Sequence, residues 1–463
     1  MYLPRVLEKR FSDTFASLRE REFVWFLSGN SAFFTGMQMQ FILRYFIAWE
    51  LTESALATTL LTLPIALPFL TITPFGGVIA DRFNKRTLLI VTQSASAVVS
   101  VVTTVMVFCG WMTYEYLFFL SFASGAIFSL NGPARQALVP LLVPQHLLMN
   151  AVSLQMGSQN LTRIIAPAIG GLLIAPIGVG WVFMITTFCF VFAIISEFRL
   201  PSHGLIGSTK SESTLESMRG GFNFIRSTPT IALLLVAGMV MPFFAFPLQT
   251  LLQVHSSEVL GMSDGRAYGF LMAAGGIGGV IGAILSATLD KFPSKGRLMF
   301  VSGLIMASFI FAFARTDMFL FSFLFFAGSN IGQMMFMASN NTVIQALSPG
   351  EMRGRVNSFT MMSFGVMPLG VIPLGLAADE FGTPATFTVA SLILVSVIVL
   401  TFLLVPRLRN LRLEFKGEAA LSHVQAEELI AQGKLSRAEA DVLIHAEVDF
   451  DDVTSTTRKD LEQ

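Results

Sequence analysis

Long apolar runs separated by short polar breaks set the pattern of this chain. A helix that crosses the hydrocarbon core of a bilayer needs about 20 mostly apolar residues. Twelve stretches fit: 23–49, 55–80, 87–110, 114–138, 149–176 and 180–198, then 229–254, 267–289, 298–314, 318–346, 356–378 and 384–405. The pattern predicts an all-α membrane protein with twelve transmembrane helices. The polar stretch 201–228, rich in Ser, Glu and Arg, reads as a linker between two six-helix bundles. The expected organisation is an N-terminal segment (1–22), a first bundle (23–200), the linker (201–228), a second bundle (229–405) and a tail (406–463). In the tail, Leu429, Ile430, Leu435, Val442 and Leu443 recur at helical spacing among charged residues, which predicts one or two amphipathic helices. Residues 1–22 are polar and charged, unlike the apolar stretch of a cleavable signal peptide.

The positive charges test this layout, because short cytoplasmic loops collect Lys and Arg. With both termini cytoplasmic, the inner side holds Arg5, Lys9, Arg10, Arg19, Arg21, Arg82, Lys85, Arg86, Arg135, Arg199 and the basic residues of the linker. It also holds Lys291, Lys295, Arg297, Arg353, Arg355 and those of the tail. All but four of the 30 Lys and Arg fall there: Arg266 and Arg315 lie outside, and Arg44 and Arg163 lie within spans. One miscounted helix would invert every later loop and erase the asymmetry. Twelve spans with N- and C-termini cytoplasmic, in the plasma (bacterial inner) membrane, is the topology expected.

Composition adds exclusions. The chain of 463 residues is 53% hydrophobic and only 13% charged, against roughly 25% charged in soluble domains. That rules out a soluble enzyme and a disordered chain alike. Lys+Arg and Asp+Glu are equal at 30 each, so no net basic charge points to nucleic acid. Cys109 and Cys189 sit in apolar runs without metal-ligand spacing, and no nucleophile–base pair or phosphate loop occurs in the loops. Neither a metal nor a cofactor is expected.

The sequence also repeats itself. Asn131, Gln136, Ala137, Leu138 and Pro140 recur as Asn340, Gln345, Ala346, Leu347 and Pro349, an offset of 209. Asp81, Arg82 and Phe83 recur as Asp290, Lys291 and Phe292 at the same offset. Two matches at one offset argue for duplicated halves, related by an axis along the membrane normal as in one class of transporters.

With these residues in place, Gly77, Asp81, Arg82, Lys85 and Arg86 between spans two and three resemble motif A of the major facilitator superfamily. The resemblance covers about residues 20–405. Thr52 to Ser54, Pro133 to Ala137 and Arg353 to Asn357 are similar to one branch of it, which holds third-group drug:proton antiporters and enterobactin-type siderophore exporters. The resemblance implies two pseudo-symmetric six-helix bundles, export and proton coupling. It also implies a gate at Gly77, Asp81, Arg82 and Arg86, with Asp290, Lys291 and Arg297 as the second-half counterpart. Asp81 could latch that gate by accepting hydrogen bonds from an opposing helix N-terminus; positive-inside charge and helix capping account for the same residues. Ser153, Thr162, Ala166, Pro167, Gly170 and Gly171 occupy the spacing of motif C, found in the family's antiporters, with three glycines replaced by Ser, Thr and Ala. Pro167, Gly170 and Gly171 are the helix-packing residues expected there.

Polar groups inside spans are costly and therefore informative. Gln155, Gln159 and Arg163 share one stripe at i, i+4 and i+8; Gln40 and Arg44 share another, with Gln38 nearby. Gln249, Asn330 and Gln333 add amides in the second bundle. These nine residues are the candidate lining of a central cavity, interhelical hydrogen bonding being the other reading of each amide. No Asp or Glu lies near the middle of a span, so proton coupling rests on the resemblance alone. Two intramembrane arginines suit an anionic or amphiphilic substrate, and Phe and Met suit an adaptable apolar wall. The expected function is secondary active export of a hydrophobic or amphiphilic small molecule, by a monomer in the bilayer. An importer or uniporter, or a non-transporting scaffold or sensor, are the other readings.

Overall fold

The computed structural model describes residues 15–68, 71–72, 83–201, 222–263, 265–289, 292, 294–348, 352, 356, 359–360 and 367–409. The described residues are almost entirely helical, as a chain in lipid must be to satisfy its backbone within each segment. In the first half lie α1 (Arg21–Thr52), α2 (Ala55–Leu60, the start of an apolar helix reaching Pro68), α3 (Lys85–Phe108), α4 (Tyr114–Leu142), α5 (Leu148–Ile177) and α6 (Val179–Phe198). The second half contains α7 (Pro229–Thr250) with an extension Leu252–Glu258, then α8 (Arg266–Thr288), α9 (Lys295–Phe313), α10 (Phe319–Leu347) and α11 (Met367–Leu404). Among the described residues, 9 helices are long and apolar enough to cross a membrane. The second and eleventh predicted spans run into residues outside that set. The central linker's interior and the tail beyond Arg409 also lie outside it.

Local chemistry starts and stops these helices. Ser54, Asn84 and Thr113 each accept a hydrogen bond from a backbone N–H in the first turn of α2, α3 and α4, satisfying donors with no helical partner. Gly178, at φ 83°, turns the chain between α5 and α6. Gly382, at φ 77°, divides α11 into two helices, the first at the end of the eleventh predicted span and the second along the twelfth. Large apolar residues such as Phe119, Phe188, Leu320 and Leu404 face outward, as expected for surfaces that meet acyl chains.

Each half packs within itself. In the first, α1 lies against α5 and α6, and α3 against α4 and α6; in the second, α10 lies against α8 and α9, and α11 against α7 and α9. Among the described residues, the largest contacts between the halves are those of α5 with α8 and of α2 with α11.

Candidate functional site

The geometry between the halves follows from the spacing of small residues on α5 and α8. Gly171 and Gly269 meet backbone to backbone: a Cβ on Gly269 would lie 2.7 Å from Cα of Gly171. Gly265 packs on Ile174, and a Cβ on Gly276 would lie 2.6 Å from Cγ2 of Ile164. These contacts run from one end of the two helices to their middle. Following the same face of α5 back at helical spacing brings Asn160, Gly157, Ser153 and Met149, all exposed. Following the face of α8 onward brings Val280, Ala283 and Ala287, also exposed. A Cβ on Gly157 or Gly279 would have nothing within 4 Å. The helices touch at one end and part at the other.

The second pair agrees. Gly375 of α11 is in contact with Leu56 and Thr59 of α2, and the rings of Phe41 and Phe246 meet edge to face across the halves with centroids 5.8 Å apart. The Asp379 carboxylate accepts hydrogen bonds from the Ser54 hydroxyl (2.8 Å) and from the N–H groups of Ala55 (2.5 Å) and Leu56 (3.2 Å). Beside it, at the end of the α7 extension, burial and the charge of Asp379 push the Glu258 carboxyl above its usual range. The closed end therefore carries the turns at Glu53, Gly178 and Gly265, the side that the basic residues assign to the outside.

Arg163 occupies the place where α5 and α8 begin to separate. It is surrounded by protein yet exposed, and has no hydrogen-bond or ion-pair partner among the described residues. Gln159, one turn back, is half-buried, and Gln155 is buried. Gln38, Gln249 and Gln333 are half-buried. Asn330 donates to the Phe326 carbonyl (2.9 Å) at the contact of α10 with α8. The packing residues divide their work: Gly170 faces Met39 of α1, whereas Gly171 faces α8 of the other half, and Pro167 is buried inside α5.

Gln40 and Arg44 correct the expectation of a cavity wall. Both are enclosed within the first half, Arg44 at 6% exposure. The Arg44 guanidinium donates to Gln40 Oε1 (2.8 Å) and Ser124 Oγ (2.6 Å), and Gln40 Nε2 donates to Ser100 (2.9 Å) and Thr186 (3.2 Å). A buried guanidinium needs such acceptors, and this set ties α1 to α3, α4 and α6. Sequence spacing joined the two residues but could not choose the face.

Arg135 is the second correction. Read as a cytoplasmic charge at the end of span four, it is 2% exposed inside α4, which continues to Leu142. It donates to Asn131 (3.0 Å) and Asn30 (2.8 Å) and lies over the ring of Phe33, 4.7 Å from its centroid. Nearby Glu197 is fully buried near the end of α6, the one buried carboxylate among the described residues. Gln93 donates to its Oε1 at 3.1 Å, while Oε2 has no partner among the described residues. Of the gating residues, Arg86 donates to the carbonyls of Glu197 (3.1 Å) and Phe198 (2.8 Å), closing the C-terminus of α6. Arg297 is exposed at the start of α9. Gly77, Asp81, Arg82, Asp290 and Lys291 lie outside the described residues.

Two helical halves meeting along paired small-residue faces is a transporter architecture, and sequence comparison decides which. The family model described as transmembrane secretion effector (MFS_3) matches residues 12–458. The chain belongs to this family of the major facilitator superfamily. It is 26% identical over 334 residues to YfiS of Bacillus subtilis (strain 168), an uncharacterized MFS-type transporter, covering 68% of this chain and 77% of that one. It is also 27% identical over 291 residues to the enterobactin exporter EntS of Shigella boydii, covering 61% and 67%. The fold of this family member is also that of a bacterial homolog to the human lysosomal transporter Spinster, with a TM-score of 0.68 at 16% identity over 84% of this chain and 98% of that one. The nucleoside transporter NupG gives 0.67 at 12% identity over 82% and 99%. The protein is a multi-pass membrane transporter of small molecules and not an enzyme.

Proposed function

We propose that this protein exports hydrophobic or amphiphilic small molecules carrying negative charge, by alternating access between its two halves. The observation that carries the reading is Arg163, accessible and without a partner among the described residues, where the interhelical contact gives way. An unpaired guanidinium near mid-membrane costs about 2.5–3.5 kcal/mol on insertion scales, a cost that an anionic group of a substrate would offset. Met149 and Met156 on the same helix add adaptable apolar surface leading to it. The direction is supported by the descriptions of the family and of EntS, a secretion effector and an exporter. Protons are the coupling ion proposed, and the working unit is one chain in the plasma membrane. Asp81 and Arg82, with Asp290 and Lys291, form the proposed inner gate.

The test is transport of an anionic amphiphile into everted proteoliposomes under an imposed proton gradient. Uptake that depends on the gradient supports proton-driven export. Uptake unchanged after the gradient is collapsed rejects the coupling, and no uptake of any anionic or neutral amphiphile rejects the substrate class.

A further inference from the structure

The outer end is held by more than packing. Asp379 belongs to the second half, and the three groups it binds, Ser54, Ala55 and Leu56, open α2 in the first. The first N–H groups of a helix have no intrahelical acceptors and carry the positive end of its dipole. A carboxylate there makes charge-assisted hydrogen bonds, stronger than neutral ones. Neither side is loosely mounted. Ser54 itself accepts from Ala57 N–H (3.1 Å), Tyr114 donates to the Ala57 carbonyl (2.8 Å), and Tyr45 bonds Thr62 (3.1 Å), which fixes α2 to the first half. One turn before Asp379, Gly375 brings the backbone of α11 against Leu56, so the carboxylate arrives in register. Asp379 remains exposed while bound, so water can replace its partners as the helices part.

We propose that Asp379 is the latch of the outer gate, a carboxylate of one half that caps α2 of the other while that end is closed and lets go when it opens. The inference rests on the alternating-access reading. An outward-open state must separate α11 from α2, so these three hydrogen bonds belong to the inward-open state alone. They bias the equilibrium toward it without touching substrate. Asn at this position keeps the shape but offers a single acceptor oxygen and no charge.

Double electron–electron resonance on the full chain in liposomes tests this, with spin labels at Trp111→Cys and Met318→Cys, exposed residues of outer loops in opposite halves. Cys109 and Cys189 are first replaced by Ser. In the otherwise unaltered protein a short distance dominates, with a minor longer one. Asp379→Asn raises the ratio of long to short about tenfold, the size expected for losing a charge-assisted contact. Asp379→Glu, which keeps the charge on a longer stem, raises it less. An unchanged ratio in Asp379→Asn, while the unaltered protein still shows both distances, overturns the latch and leaves alternating access standing. One distance in the unaltered protein under every substrate and proton condition overturns alternating access itself. If Asp379→Asn does not fold, Asp379→Glu decides: any rise supports the latch, and none overturns it.

Discussion

Gly171 and Gly269 press backbone on backbone, and no side chain fits between them. Replacing Gly171 by Val forces α5 from α8 at the closed end. Overpacking of this kind costs about 1–3 kcal/mol, and transport into proteoliposomes should fall at least about tenfold. Gly157 lies on the same helix where the halves are apart, with nothing near its missing side chain. Gly157→Ala should transport as the unaltered protein does. Equal effects of the two substitutions would mean that the contact does not matter to the cycle.

The two intramembrane arginines should separate cleanly. Arg163→Ala removes a group with no partner among the described residues, so the melting temperature should hold while affinity for an anionic substrate drops about tenfold. Arg44→Ala breaks the bonds to Gln40 and Ser124 and should cost about 2–3 kcal/mol of stability. Ligand titration and thermal unfolding of both variants check the contrast.

At the opposite end, Asp81→Asn should slow turnover while leaving expression and melting temperature intact. Transport kinetics indistinguishable from the parent would remove Asp81 from the inner gate.

Glu258 should make stability depend on pH. Its carboxyl is raised above the ordinary 4.5 by burial and by Asp379. Between that value and its folded-state value, the folded chain holds a proton that the unfolded chain has released. Stability therefore falls as pH rises through the window. Glu258→Gln removes the penalty. Its melting temperature should exceed the parent's at pH 7 and match it at pH 4; a gain of equal size at both values would reject the linkage.

Apolar runs made the spans legible, because lipid demands about 20 such residues in succession. Their ends were less so. The fourth span reads to 138, and its helix continues through Val139, Pro140 and Leu141 to Leu142, because a proline does not end this helix. Arg135 illustrates the cost of scoring residue types singly. Asn131, one turn earlier, was visible as part of the repeat, yet only packing shows that it accepts from Arg135. Glu197 lies near the end of α6 in sequence, yet it is enclosed because Gln93 and Arg135 come to it from other helices. Likewise the stripe Gln155, Gln159 and Arg163 and the pair Gln40 and Arg44 have the same i, i+4 signature. One reaches an open face and the other a buried network, a choice made by neighbours distant in sequence.

Because the halves touch at Gly171 and lie apart at Met149, the proposed alternating access makes α5 a lever. At 1.5 Å per residue, the stretch from fulcrum to free end is about 33 Å long. Turning it by about 10° swings Met149 through roughly 6 Å, while the glycine backbones at the fulcrum need only roll on one another. In that proposed cycle a pair of residues without side chains sets the mechanical advantage, and any bulk added there shortens the stroke.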